Sequence, residues 1–115
     1  MTTVYGIKNC DTIKKTLKWL EEHQVQYQFH DYRKNGLTAD LLTQFELQLG
    51  WEQLINKRGT TFRQLSESDK QALDQTTALQ HMLTAPAMIK RPLIQHDGQW
   101  QLGFNQAQLK ELFNV

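Results

Sequence analysis

The sequence contains no apolar run approaching the roughly 20 residues needed to cross a bilayer, so no membrane-spanning helix is expected. It has a single cysteine, Cys10. One thiol cannot form an internal disulfide, and this points to a reducing compartment, the cytoplasm. The opening Met1-Thr2-Thr3-Val4-Tyr5 lacks a basic n-region followed by an apolar stretch, so no secretory signal is read there. Neither sign of charge is in excess, with 13 Lys and Arg against 12 Asp and Glu, a net +1. That balance supplies no general attraction to nucleic acid or an anionic membrane, and neither is expected as a direct partner. Dinucleotide-binding G-x-G-x-x-G, P-loop and G-x-S-x-G patterns are also missing. The four histidines, His23, His30, His81 and His96, show no close ligand spacing and have one cysteine to join. No metal site is expected from them.

A chain of 115 residues fits one domain, here residues 1–115. Its hydrophobic content of 39% is lean, but five Phe, three Trp and three Tyr bring large buried areas, enough for a modest core. Thr3 to Ile7 is β-favouring and reads as a first strand. After Cys10, Ile13, Leu17 and Leu20 recur at helical spacing among Lys14, Lys15, Lys18, Glu21 and Glu22, an amphipathic helix. Val25, Tyr27 and Phe29 alternate with Gln26, Gln28 and His30, the period of a half-buried strand. Lys34-Asn35-Gly36 closes it as a turn.

Thr38 can cap a second helix with Leu41, Leu42, Phe45 and Leu49, ended by Gly50. Asn56-Lys57-Arg58-Gly59 is a basic loop. Ser68, and Thr76 or Thr77, can start further short helices, the last carrying Leu79, Met82 and Leu83 and stopping near Pro86. Pro92 to Gln95 and Gln99 to Leu102 flank Asp97-Gly98, a strong hairpin signal. Asn105 with Gln108 resembles a capping box for a final helix with Leu109, Leu112 and Phe113. The order is β-α-β, a helical block, then β-β-α. A crossover helix demands a parallel pair and the hairpin an antiparallel one. The expected fold is α/β: a thioredoxin-like, mixed four-stranded sheet with helices packed on it and a helical insertion between its two halves.

Cys10 falls where the first strand hands over to the first helix. The unpaired N–H groups and positive dipole of a helix start stabilise a thiolate and also bind oxyanions. Lys8 and Lys14 add positive charge nearby and Asp11 opposes it. A buried, inert cysteine is the alternative. Ile13 stands where a C-x-x-C motif would have its second thiol, so a redox-active Cys10 needs a resolving thiol from outside, such as glutathione or another protein. Arg91 directly precedes Pro92, and a cis Arg91-Pro92 bond is one way to aim it at the thiol. Arg58 lies in the basic loop, where a solvated surface charge is the simpler reading.

Three segments carry a resemblance: Tyr5-Gly6-Ile7-Lys8-Asn9-Cys10-Asp11-Thr12-Ile13-Lys14-Lys15, the Trp51 to Phe62 block with Asn56-Lys57-Arg58-Gly59, and Ile89-Lys90-Arg91-Pro92-Leu93-Ile94. In that order they resemble the ArsC/Spx family, and within it the YffB-type branch, over essentially the whole chain. The resemblance implies a thioredoxin-like fold with a helical insert and cytosolic thiol chemistry of the kind typified by glutathione- and glutaredoxin-dependent arsenate reductases. It implies a nucleophilic role for Cys10, and thiolate- or oxyanion-holding roles for Arg58 and Arg91, with Lys8 added. Asn9, Asp11, Thr12, Lys14 and Pro92 are candidates to contact glutathione or substrate. A third arginine usual in arsenate reductases has no counterpart here, since only Lys110 among lysines and arginines follows Arg91.

The expected function is therefore a glutathione-dependent thiol reductase related to arsenate reductase. It would have no bound cofactor, glutathione as co-substrate, glutaredoxin as a candidate partner, and a small oxyanion or disulfide as substrate. The Spx branch offers another class, an RNA polymerase-binding transcriptional regulator, with Gly50 where that branch has a glycine linked to polymerase contact. Glutaredoxin-coupled arsenate reduction is the third reading.

Overall fold

The computed structural model describes residues 1–115. The chain divides into two compact units, one made of residues 1–36 and 91–115, the other of residues 37–90.

The first unit holds a four-stranded mixed sheet. Strand β1 (Thr2–Gly6) leads through helix α1 (Asp11–Glu22) to β2 (Gln28–Asp31), followed by a short helix α2 (Tyr32–Asn35). The chain returns with β3 (Leu93–His96) and β4 (Gln99–Leu102). The sheet order is β2-β1-β3-β4, with β1 and β2 parallel and the other pairs antiparallel. The α/β expectation of a β-α-β half and a β-β half in one mixed sheet is met. Val4, Ile13, Trp19, Leu20, Ile94 and Leu109 form a buried cluster, which joins β1, α1 and β3 to the closing helix α8 (Gln106–Phe113). Val25, Tyr27 and Phe29 pack against that cluster while Gln26 and Gln28 are exposed, as the period-2 reading expects, but His30 on the alternate face is half-buried with its ring against Tyr5 and Tyr32. The strand itself begins only at Gln28, because its ladder with β1 starts at Thr3↔Gln28.

The hairpin is as read, and of the capping box expected for the final helix the N-cap half is present. Asp97 and Gly98 both take positive φ, +47° and +81°, the combination that matches the twist of a two-residue hairpin. Asn105 Oδ1 accepts from the Gln108 N–H at 3.0 Å at the start of α8. Lys34-Asn35-Gly36 is corrected: Lys34 and Asn35 belong to α2, which Asp31 caps through the Arg33 N–H at 2.9 Å, and Gly36 alone breaks it at φ +86°.

The second unit is the helical block. Helix α3 (Ala39–Leu49) is capped by Thr38, whose hydroxyl accepts from the Leu41 N–H, and ends at Gly50 with φ +82°. Short helices α4 (Trp51–Leu54), α5 (Thr60–Arg63) and α6 (Glu67–Gln71) follow, then α7 (Gln75–Thr84) and a 3-10 turn (Pro86–Met88). Helix α3 packs on α4 and α7, and Leu42, Phe45, Leu54, Ile55, Ala78, Met82 and Ile89 are buried. Two helix starts differ from the sequence reading. Ser66 rather than Ser68 caps α6, and Asp74 caps α7 with Thr77 closing the box three residues in. The hydrophobic period fixed the face of α7 but not its first turn, since Asp74, Thr76 and Thr77 all carry side chains able to cap. No helix is long and apolar enough to cross a membrane.

Candidate thiol site

The site is built where β1 ends. Ile7 is buried, Lys8 and Asn9 run through an exposed bend, and Cys10 is the N-cap of α1 with extended φ −137° and ψ 126°. Its carbonyl accepts the first helical hydrogen bond from the Lys14 N–H at 3.0 Å. A Ser or Asp at this position would fill the free N–H groups with a side-chain oxygen. The Cys10 sulfur makes no such capping bond by strict geometry. The N–H groups of Ile13 and Thr12 nonetheless act on it as donors that favour the thiolate.

Arg91 reaches the same sulfur from the other half of the unit. Strand β3 runs antiparallel to β1 with Tyr5 opposite Leu93. Continuing that register carries Arg91 past the end of β1 from which the chain departs towards Cys10. The Arg91-Pro92 bond is cis, and the guanidinium acts on the Cys10 sulfur both as a donor and through its charge, each favouring the thiolate. Partial burial pushes the thiol pKa up, but the Ile13 N–H, Arg91 and the Thr12 N–H together outweigh it and hold the thiol below its ordinary value.

Gly6 permits this convergence. A Cβ there would collide with the Ile13 Cδ1 and stand 3.8 Å from Arg91 Cγ. The α1 start and the Arg91 stem thus both lean on a backbone without a side chain. Ile13, at the place of a second thiol in C-x-x-C, is fully buried in the core. Tyr32 follows Asp31, the partner of Gly6 across the sheet, and is buried. Burial raises its phenol pKa, Tyr5 raises it further, and the field of Arg91 lowers it. Neither Gly6 nor Tyr32 carries a local sequence signal for this neighbourhood; the strand register creates it.

The structure therefore joins Cys10, Arg91 and the Thr12 backbone. Lys8, Asn9, Asp11 and Lys14 are exposed around the thiol loop and the first turn of α1. Pro92 is buried, and its carbonyl accepts from the Gly103 N–H at 2.9 Å at the base of the hairpin. Arg58 belongs to the helical unit, exposed in a turn held by Asn56, whose Oδ1 accepts from the Arg58 N–H at 3.2 Å.

The model of the ArsC family matches residues 5–112. An uncharacterized protein of Haemophilus influenzae is 52% identical over 113 residues, covering 98% of this chain and 99% of its own. The global transcriptional regulator Spx 2 of Bacillus cereus is 30% identical, covering 96% of this chain and 86% of its own. Among solved structures, a protein named YffB superposes with a TM-score of 0.92 at 41% identity, covering 97% of this chain and 98% of that one. An arsenate reductase (ArsC) related protein from Brucella melitensis gives 0.82 at 47% identity, covering 99% and 95%. With a mixed thioredoxin-like sheet, a helical insert between its halves and a family match that runs from β1 into α8, this chain belongs to the ArsC family.

Proposed function

We propose that this protein is a glutathione-dependent thiol reductase of the cytoplasm, related to arsenate reductase, with Cys10 as its nucleophile. The observation that carries the proposal is the Arg91 guanidinium on the Cys10 sulfur at the start of α1, with the thiol held below its ordinary pKa. The thiolate is the form that attacks. Cys10 as thiolate attacks a disulfide, a glutathione adduct or a small oxyanion. Arg91 and the Ile13 and Thr12 N–H groups hold the negative charge, with Lys8 as a further cationic group. Asn9, Asp11, Lys14 and Pro92 are the proposed contacts of glutathione or substrate. A mixed disulfide of Cys10 with glutathione is then opened by a second thiol from glutathione or glutaredoxin. No second cysteine exists in the chain to do this. In a glutathione-coupled reductase assay, Cys10→Ser is expected to lose all turnover, and retention of full activity would sink the proposal. Arsenate as substrate predicts turnover with glutathione and glutaredoxin that Arg91→Ala abolishes.

The likeness to a global transcriptional regulator Spx of Bacillus cereus supports a second reading, a binding module whose partner is RNA polymerase. It predicts saturable polymerase binding that survives Cys10→Ser and is lost on Gly50→Arg. An absence of binding removes it.

A further inference from the structure

Helix α7 carries more apolar surface than the core beneath it covers. Ala78 and Met82 are its buried residues. Leu79 beside them is half-buried and Leu83 is 38% exposed. On α3, Leu47 is 76% exposed. Away from the terminal Met1 and Val115, Leu47 and Leu83 are the exposed large hydrophobic side chains of this chain, one on each helix. Between the two helices runs a groove of about 450 Å³, lined by Ala39, Leu42 and Thr43 of α3 and by Leu79, Gln80 and Leu83 of α7. Leu47 follows Thr43 by one turn and extends the α3 wall. The helices run antiparallel: Ala39 and Leu83 share one end, and at the other the Gln75 amide donates to Glu46 Oε1 at 2.9 Å. From Gln75 to Leu83 the groove follows α7 for about 12 Å, a little over two helical turns.

The charge around this groove has one sign. Residues 37–56 and 71–89, which include both helices, hold Asp40, Glu46, Glu52 and Asp74 and no Lys or Arg. Asp40 stands at the Leu83 end, beside Ala39, and Glu46 and Asp74 stand at the Gln75 end. None of these carboxylates is in an ion pair. Glu46 accepts from neutral donors, the Trp51 N–H at 3.2 Å and the Gln75 amide, and Asp74 caps α7 through Thr77. The cations of the same unit lie on residues 57–70 and at Lys90, and Lys70 among them is engaged by Glu67 and by the Arg63 carbonyl.

We infer that the groove between α3 and α7 is the docking site for a basic amphipathic helix of another protein. Two packed helices leave a trough that a third helix fills, with apolar side chains at i, i+4 and i+7 as its anchors. Leu42, Leu79 and Leu83 receive those anchors. Charge complementarity decides what flanks them: carboxylates at both ends of the groove select Lys and Arg and repel acidic helices, nucleic acid and anionic membranes. The same charge disfavours a second copy of this chain, because a two-fold contact would set the acidic rim against itself. Neither Cys10 nor Gly50 lines the groove, so neither functional reading uses it.

The test titrates the full chain into three fluorescein-labelled synthetic peptides of about 15 residues, read by anisotropy. The first has Leu at i, i+4 and i+7 with Lys on both flanks. The second has Glu in place of each Lys. The third is a scramble of the first, with the same composition and no apolar stripe. The first is expected to bind saturably, and about tenfold or more tighter than either of the others at about 0.15 M salt. Leu83→Gln should weaken it about tenfold, with the fold checked by circular dichroism. Thr43→Lys with Gln80→Lys, both exposed on the groove walls, should reverse the preference so that the Glu peptide binds better than the Lys peptide. Loss of the fold cannot produce that reversal. No saturable binding of the first peptide, equal affinity for its scramble, or a preference that the double variant keeps overturns the inference. Self-association of the parent chain in sedimentation, lost in Leu83→Gln, would assign the groove to a second copy and overturn it. Phosphatidylglycerol vesicles bound more tightly than the first peptide, and released in the same variant, would assign it to a membrane and overturn it too.

Discussion

Replacing Arg91 by alanine removes both the hydrogen bond and the charge that the guanidinium offers the Cys10 sulfur. A hydrogen bond to a charged group contributes about 1.5–3 kcal/mol. Cys10 is only partly buried, so solvent screening reduces this to about 1 kcal/mol. That amount changes the thiolate population at neutral pH about fivefold. The Ile13 and Thr12 N–H groups remain, so thiolate stabilisation is weakened and not lost. The assay is the rate of alkylation by iodoacetamide across pH, with Cys10→Ser as the blank. Arg91→Ala should shift the whole profile towards higher pH and slow alkylation about fivefold near neutrality, while the plateau at high pH stays close to that of the parent. Arg91→Lys keeps the charge but not the planar fork and should fall between the two. A profile for Arg91→Ala that superposes on the parent would refute the placement of Arg91 as the group that stabilises the thiolate.

The lowered thiol pKa also makes stability depend on pH. Between the folded pKa and the ordinary value near 9.0 the unfolded chain binds more proton, so stability contributed by Cys10 rises with pH, is complete above the ordinary value and is lost as pH falls through the folded pKa. Urea midpoints of the parent relative to Cys10→Ser should therefore grow from acid to alkaline pH, and a difference independent of pH would contradict the shift. Gly6→Ala puts a methyl into the Ile13 side chain in a fully buried setting and should cost about 1–3 kcal/mol of stability in urea unfolding. An unchanged midpoint would show that Ile13 gives way freely. Asn105→Ala removes the cap of α8 and should cost about 1 kcal/mol, read from the same measurement.

Much of the architecture was legible because it is written in local chemistry. Thr38 and Gly50 bound α3, Asp97-Gly98 turns the hairpin, and Asn105 starts α8, each by a side-chain or backbone property of the residue itself. The start of β2 was less legible, since residues 25–29 alternate well before the ladder begins and only pairing with β1 decides where a strand exists. The helix at Tyr32–Asn35 was hidden behind its turn-like composition. Ser66 and Asp74 were missed as caps because neighbouring hydroxyl residues offered equivalent starts.

The candidate site divides along the same line. The sequence by itself determined that one thiol stands where a strand passes to a helix, that no internal cysteine can resolve it, and that lysines crowd the same helix. Arg91 and Cys10 are remote in the chain, and only the antiparallel register of β1 and β3, with Gly6 leaving room for Ile13 and the arginine stem, brought the guanidinium to the sulfur. The physical reason is that the thiolate is stabilised by short-range donors and charge, and for residues so far apart in sequence the tertiary fold sets that distance.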